Sequence, residues 1–146
     1  MEDPLKVLQA QPNLMRLWLH DGYGGEQLHI ERGGFQKLKC LRIYNFGGLN
    51  RLIIDEAALP LLEKLEIGEC PQLKEVPSGI HHLKSLKILE FTEMPTEFVL
   101  SLQPDEGPDF GKVKHIPSVT FWYRTCGEYY KSYKIGDSEL LKLLQS

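Results

Sequence analysis

Residues 62–77 run Leu62-Glu-Lys-Leu65-Glu-Ile67-Gly-Glu-Cys70-Pro-Gln-Leu73-Lys-Glu-Val76-Pro77, a segment whose apolar residues follow the spacing LxxLxIxxCxxLxxVP. The first part of this spacing recurs at steps of 24 residues in both directions. The positions it predicts are all apolar: Leu14, Leu17, Leu19, Leu38, Leu41, Ile43, Leu62, Leu65, Ile67, Leu86, Leu89 and Phe91. Two further apolar columns keep the same step: Leu28, Leu52, Val76 and Leu100, and Phe35, Leu59 and Leu83. The chain therefore consists of repeats of 24 residues.

The LxxLxL part of each repeat predicts a short strand, because alternate residues of a strand point to the same side. One strand cannot bury its apolar side alone, so successive repeats must stack and share a core. This is the pattern of a leucine-rich repeat. We predict an α/β-type solenoid, a right-handed superhelix forming part of a horseshoe, with a parallel sheet on its concave side. It would contain four repeats and a degenerate C-terminal repeat or cap.

Composition is that of an ordinary globular protein, with 146 residues, 42% hydrophobic content and a net charge of −3. The interspersed charges predict no nucleic-acid partner. The sequence contains no apolar run long enough to span a membrane, and Met1-Glu2-Asp3-Pro4 is acidic where a signal peptide is basic. We expect a cytoplasmic protein without a membrane span.

No cofactor or metal site is predicted. Cys40, Cys70 and Cys126 are odd in number and lack a CxxC spacing, which argues against a disulfide framework and a zinc site. Cys70 occupies a repeat column and is expected to be buried. The glycine-rich segment 21–25 is followed by Glu26-Gln27 rather than the Lys-Ser/Thr of a phosphate-binding loop, so it predicts a turn. The adjacent pair His81-His82 would point apart on a helix or strand.

Three regions are predicted: a partial repeat at 1–13, leucine-rich repeats at 14–102, and an acidic loop, degenerate repeat and cap at 103–146. In the first region, Leu5 and Leu8 resemble the convex half of a repeat, so we expect further repeats upstream and self-association of the isolated chain. Residues 49–54 predict a second short strand on the return limb, and residues 80–84 a helical turn.

The C-terminal region is less regular. Residues 103–109 are rich in Pro, Gly and acids and predict a flexible loop. One more step of 24 residues lands on Phe110, Val113 and His115, so a degenerate fifth repeat is expected after the loop. The alternating segment around residues 119–123 predicts an edge strand that covers the open end of the ladder. Residues 138–144 predict a short amphipathic helix, with Asp137 or Ser138 as its N-cap.

The residues between the strand leucines would line the concave face in three columns. The columns are Arg16, Cys40, Lys64 and Ile88; Trp18, Arg42, Glu66 and Glu90; and His20, Tyr44, Gly68 and Thr92. Eight of these residues form the predicted protein-binding site: Arg16, Trp18, His20, Arg42, Tyr44, Lys64, Glu66 and Glu90. Trp, Tyr and Arg commonly anchor interfaces. The alternative is that these residues form a solvated surface, in which Arg42 and Glu66 make only a cross-strand pair.

Catalysis has little support in the sequence. Glu66 and Glu90 would lie about 5 Å apart on adjacent strands, which is close to the separation of a retaining glycosidase pair. An open solenoid face offers no cleft that excludes water, and no nucleophile motif is present. We expect the protein not to be an enzyme.

Longer motifs point to a family. The segments Phe35-Gln-Lys-Leu38-Lys-Cys-Leu41-Arg-Ile43 and Ala58-Leu-Pro-x-Leu62-Glu-Lys-Leu65, continued by Cys70-Pro-x-Leu73-Lys-x-Val76-Pro77, resemble the last repeats of coiled-coil plant nucleotide-binding leucine-rich-repeat disease-resistance proteins. Phe98 and the later segment Val113-Lys-His-Ile-Pro-x-Val119 are similar to the ending of that class. The resemblance covers residues 12–119. It implies a protein partner: a pathogen effector, a modified host protein, or the receptor's own nucleotide-binding domain.

The chain departs from that family in two ways, and two other functions remain open. It contains no GxxxxGK[ST] motif, and the residues after Val119 match no motif of the family. A leucine-rich-repeat substrate receptor of a ubiquitin ligase would use the same ladder but needs an adaptor-binding module. A truncated receptor fragment could act as a decoy or regulator. The sequence does not decide between sensing and autoinhibition.

Overall fold

The computed structural model describes residues 4–22, 25–125, 127 and 129–145. Cys126 and part of the glycine-rich segment, Tyr23 and Gly24, lie outside the described residues. The helices are α1 (Pro4–Gln9), α2 (Thr96–Ser101), α3 (Phe110–Val113) and α4 (Ser138–Gln145), with a 3₁₀ turn at Ile80–His82. The strands are β1 (Arg16–His20), β2 (Gln27–Ile30), β3 (Cys40–Tyr44), β4 (Arg51–Ile54), β5 (Lys64–Gly68), β6 (Ile88–Thr92), β7 (Ser118–Arg124) and β8 (Tyr130–Lys134). None of the described helices has the length and apolar character needed to cross a membrane.

The main sheet has the strand order β1-β3-β5-β6-β7-β8. Its first five strands are parallel, and β8 runs antiparallel to β7. Arg16 pairs with Cys40, Cys40 with Lys64, and Lys64 with Ile88, so each step is 24 residues. The sequence period is therefore the register of the sheet, and the predicted parallel solenoid is confirmed.

The predicted 24-residue frame of the degenerate fifth repeat is wrong. The 24-residue step pointed to Phe110, Val113 and His115, but the structure has α3 at Phe110–Val113 and begins β7 at Ser118. Ser118 pairs with Ile88, which is 30 residues earlier. The return limb here contains α2, a series of turns and α3, and this route uses six more residues than the limbs before it.

The expected strand around residues 119–123 is present, but its place in the sheet differs from the prediction. Val119 and Phe121 pair with Leu89 and Phe91 and are buried in the core. β7 thus continues the parallel ladder, while the outermost position belongs to β8.

The return limb contains a second, two-stranded sheet. β4 pairs in parallel with β2, and Gln27 faces Arg51 at the same 24-residue step. This confirms the short strand predicted within 49–54, and the 3₁₀ turn confirms the helical turn predicted at 80–84. The predicted C-terminal helix is also present, and the Asp137 carboxylate caps it by accepting a 2.9 Å hydrogen bond from the Glu139 amide.

The core is a continuous ladder of apolar side chains under the main sheet. Strands β3, β5 and β6 bury their inward-facing leucine, isoleucine and phenylalanine side chains almost completely, and Phe91 stacks on Phe121 with ring centroids 5.6 Å apart. The corresponding positions of β1, Leu17 and Leu19, are only partly buried. Within the described structure β1 has a neighbour strand on one side only, so these two leucines are covered by a strand on that side alone.

A backbone turn in the left-handed region follows each of the first four ladder strands. The residues concerned are 24 apart, and their φ angles are 56° at Asp21, 59° at Asn45, 52° at Glu69 and 50° at Glu93. Each donates its amide N–H to a carbonyl of the next strand in the sheet, at 2.9–3.1 Å; the acceptor is the last residue of that strand for the first three and Trp122, within β7, for Glu93. Asp and Asn tolerate this conformation better than other L-residues, whereas Glu69 and Glu93 are strained. The turns add one more row of hydrogen bonds along one edge of the concave face.

Candidate functional site

The solvent side of the main sheet, the predicted concave face, carries the three columns in register. Trp18 faces Arg42, Arg42 faces Glu66, and Glu66 faces Glu90 on adjacent strands. The sheet extends the columns beyond β6, because Thr120 continues the column of Glu90. All eight predicted site residues lie on this face: Arg16, Trp18, His20, Arg42, Tyr44, Lys64, Glu66 and Glu90.

Arg42 is at the centre of an aromatic cluster. Its guanidinium carbon lies 4.2 Å from the centroid of the Tyr44 ring and 5.5 Å from that of Trp18. Its Nε atom lies 3.4 Å from a Glu66 carboxylate oxygen. That nitrogen is buried and lacks a partner aligned for hydrogen bonding, so the contact with Glu66 is electrostatic. Two rings and one carboxylate therefore fix the orientation of the guanidinium.

Glu66 also binds a second cation. Lys64 Nζ lies 2.9 Å from the other carboxylate oxygen of Glu66. This hydrogen bond raises the pKa of Lys64. The cross-strand pair of Arg42 and Glu66 considered from the sequence is thus present. Because both cations are partly exposed, such pairs contribute only about 0–1 kcal/mol each to stability.

Tyr44 crosses over a neighbouring strand to reach the one beyond. Its hydroxyl lies 2.8 Å from Thr92 Oγ1, so its ring passes over Gly68 in the strand between. A Cβ atom on Gly68 would lie 2.4 Å from the ring, so only glycine fits beneath it. Burial raises the pKa of Tyr44, and His20 stacks on the ring at a centroid distance of 5.7 Å. The third column is therefore a connected aromatic layer.

A cavity of about 530 Å³ opens beside this layer. From the predicted set it is lined by His20, Arg42, Tyr44, Glu66 and Glu90. Trp122 and Tyr130 also line it, and sequence reasoning missed both of them. Trp122 follows the buried Phe121 and so points to the opposite side of β7. Applying the alternation rule to residues 118–124 would have identified it.

The sequence of the chain is similar to those of several known plant proteins. The chain is 37% identical over 121 residues to the probable disease resistance RPP8-like protein 4 of Arabidopsis thaliana. It is 35% identical over 121 residues to the disease resistance protein RPP8, and 32% identical over 132 residues to the disease resistance protein RPM1, both from the same plant. The chain is a leucine-rich-repeat relative of plant disease-resistance proteins. The resemblance noted in the sequence is thereby confirmed.

The matches cover 82–90% of this chain but only 13–14% of each of these relatives. This leucine-rich-repeat chain thus spans about one seventh of their length or less. No protein-family model matches it, and neither does any solved structure.

The chemistry of the concave face of this leucine-rich-repeat chain favours binding. Burial raises the pKa of the Cys40 thiol, which disfavours the reactive thiolate. Glu66 and Glu90 are neighbours, but Glu66 is already bound to Lys64 and Arg42. Across the described residues, no three His, Cys, Asp or Glu side chains are grouped as a metal site requires. What the face offers is an oriented guanidinium, aromatic rings and carboxylates.

Proposed function

We propose that this chain is a protein-recognition module of plant innate immunity. Its concave face would bind a pathogen effector, a modified host protein or the nucleotide-binding domain of its own receptor. The relatives are named disease-resistance proteins, which supports the immunity role. The observation that carries the proposal is the cluster of Trp18, Arg42 and Tyr44 on the open side of the ladder.

The cluster has the properties of an interface anchor. Trp, Tyr and Arg dominate the binding energy of protein interfaces. Trp18 is 61% exposed, so it is free to enter a pocket of the partner. Arg42 is already held by two rings and a carboxylate, so little conformational freedom remains to be lost on binding.

The mechanism would be differential contact with two states of a switch domain. A partner that binds one state better shifts the equilibrium towards that state. In autoinhibition, the concave face would bind the inactive state of the receptor, and loss of the anchor would activate signalling without a pathogen. In sensing, loss of the anchor would abolish the response.

The area of the face limits this role. Six strands about 4.8 Å apart, each of about five residues, span on the order of 24 by 16 Å, or roughly 400 Å². A standard interface buries about 800 Å² per partner. The concave face would therefore act together with other surfaces.

The test is capture of proteins from extracts of healthy and infected leaves by the immobilised chain, with identification by mass spectrometry. The concave variant is Trp18→Ala with Arg42→Ala. Its matched control is Arg51→Ala with Tyr129→Ala, which also removes one cation and one aromatic ring at exposed positions away from the cluster. Thermal unfolding would verify that both variants are folded.

Some proteins will be captured equally by the wild type and the control. We expect the concave variant to capture at least about tenfold less of these proteins, because two anchors each contribute more than about 1 kcal/mol to binding. Equal capture by all three chains would refute the assignment of the concave face.

A further inference from the structure

A second surface lies at the C-terminal end of the fold, where α2, the segment 103–108 and α4 enclose a groove of about 730 Å³. Its apolar lining comes from Leu100, Pro104, Pro108 and Leu141. Leu100 is 36% exposed although it belongs to one of the apolar repeat columns. The groove shares no lining residue with the cavity of the concave face.

The walls of the groove are fixed to each other by a buried amide. Gln103 is only 4% exposed; its Nε2 donates to the Val99 carbonyl at 2.9 Å, and its Oε1 accepts from the Gly136 amide at 2.8 Å. This links α2 to the turn that leads into α4. Gly136 has a φ of 80°, and a Cβ there would approach Pro104 to 3.2 Å. The groove is thus formed before any partner arrives, which reduces the entropy lost on binding.

The rim of the groove is negatively charged. Glu97, Asp105 and Glu106 line it, and its described lining residues include no Lys, Arg or His. None of these three carboxylates takes part in an ion pair with another described residue. The nearby lysine of α4, Lys142, pairs with Glu139 instead. The groove therefore combines an apolar floor with uncompensated negative charge.

This combination selects the chemistry of the occupant. Apolar side chains would replace water on the floor, while Lys or Arg side chains beside them would pair with the rim. A small polar ligand fits less well, because the buried amide of Gln103 already has partners at both ends. An amphipathic helix with a basic flank presents apolar and cationic side chains together, and helices of this kind bind in grooves.

We propose that the groove between α2 and α4 binds a basic amphipathic helix of a protein partner. The site is separate from the concave face, and it would supply contact area that the concave face alone lacks. It gives a role to the C-terminal region, which the repeat pattern left without one.

The test uses fluorescent helical peptides of about twelve residues, long enough for three turns. The probe carries leucines on one face and lysines beside them. Two reference peptides replace the lysines by glutamates or the leucines by serines. Binding to the full chain is measured by fluorescence anisotropy at low and moderate salt, and sedimentation velocity checks whether the chain itself associates through the groove.

The groove variant is Glu97→Gln, Asp105→Asn and Glu106→Gln. Asn suits position 105 because φ there is 72°. The matched control is Glu56→Gln, Glu63→Gln and Glu75→Gln, which changes the net charge equally at exposed positions outside the groove. A second variant, Leu100→Ser, tests the apolar floor.

We expect the leucine–lysine peptide to bind more tightly than both reference peptides, and to bind about tenfold more weakly to the groove variant, since three exposed ion pairs are lost. Leu100→Ser should weaken binding by about threefold or more, and the control should leave it unchanged. Four results would overturn the proposal: equal weakening in the control, equal binding of the leucine-free peptide, no binding, or self-association that the groove variant abolishes. The capture assay with the Trp18/Arg42 variant tests the concave face, and its outcome does not depend on any of these four results. The two proposals can therefore fail separately.

Discussion

Replacing Gly68 by alanine tests how the aromatic layer is built. In a strand, alanine is ordinarily favoured over glycine by about 0.5–1 kcal/mol. Here the new Cβ would lie 2.4 Å from the Tyr44 ring, so the ring must move away. The movement would break the hydrogen bond to Thr92, worth about 1 kcal/mol, and the contact with Arg42, worth about 0.5–1 kcal/mol. The net expectation is a loss of about 1 kcal/mol, because the two lost contacts outweigh the gain from alanine.

Gly47 provides the matched control. It lies in the turn after β3, a Cβ there would meet nothing within 4 Å, and its φ is not in the left-handed region. Gly47→Ala should therefore stabilise the protein by about 0.5 kcal/mol through the unfolded state. The two Gly→Ala changes are expected to have opposite signs.

The assay is urea unfolding followed by tryptophan fluorescence, combined with a double-mutant cycle. Tyr44→Phe removes only the hydroxyl and should cost about 1 kcal/mol in the wild type. In the Gly68→Ala background it should cost almost nothing, since the hydrogen bond is already broken. If Gly68→Ala stabilises the protein as Gly47→Ala does, or if Tyr44→Phe costs the same in both backgrounds, the ring does not depend on the glycine.

Two further predictions concern backbone strain and pH. Glu69→Asn should raise the free energy of unfolding by about 0.5–1 kcal/mol because Asn tolerates a positive φ; a similar gain from Glu63→Asn, at an ordinary φ, would contradict this in the same urea assay. Tyr123 donates a 3.0 Å hydrogen bond to the Met94 carbonyl, and burial raises its pKa from 10.0 to about 12. Since the unfolded chain releases this proton near pH 10, stability should fall as pH rises from 10 to 12. The slope should be smaller in Tyr123→Phe and unchanged in a variant of the exposed Tyr129, Tyr129→Phe; equal slopes in all three proteins would refute the assignment.

The strands of the first four repeats were predictable because one physical requirement fixes them. Each LxxLxL segment must place its leucines over those of the next, so the sequence step and the sheet register are the same number. The prediction failed where the number of residues between two successive strands changes. Between β6 and β7 the return limb folds into short helices, and the strand shifted by six residues without losing its pairing. The spacing of apolar residues alone does not show how many residues a helical return limb contains.

The positions of the candidate site residues on the sheet were predictable, but the contacts between their side chains were not. The alternation of a strand placed Trp18, Arg42 and Tyr44 on the open side. It could not show that Arg42 lies over Tyr44, because side-chain conformation depends on neighbours from other strands. The left-handed backbone at Asp21, Asn45, Glu69 and Glu93 was not predicted either, because it depends on hydrogen bonds between repeats.

The four left-handed turns have a consequence for how the number of repeats can change in evolution. At Asp21, Asn45, Glu69 and Glu93 the backbone has nearly the same conformation and makes the same bond to the next strand. A 24-residue segment that runs from one of these turns to the next begins and ends with the same backbone conformation. Recombination could therefore duplicate or delete such a segment without disturbing the turn at which the repeats are connected. The last of these turns, at Glu93, is hydrogen-bonded to the irregular C-terminal region in the same way. The residues of the concave face could therefore be rearranged by copying whole units, while the C-terminal region stays as it is.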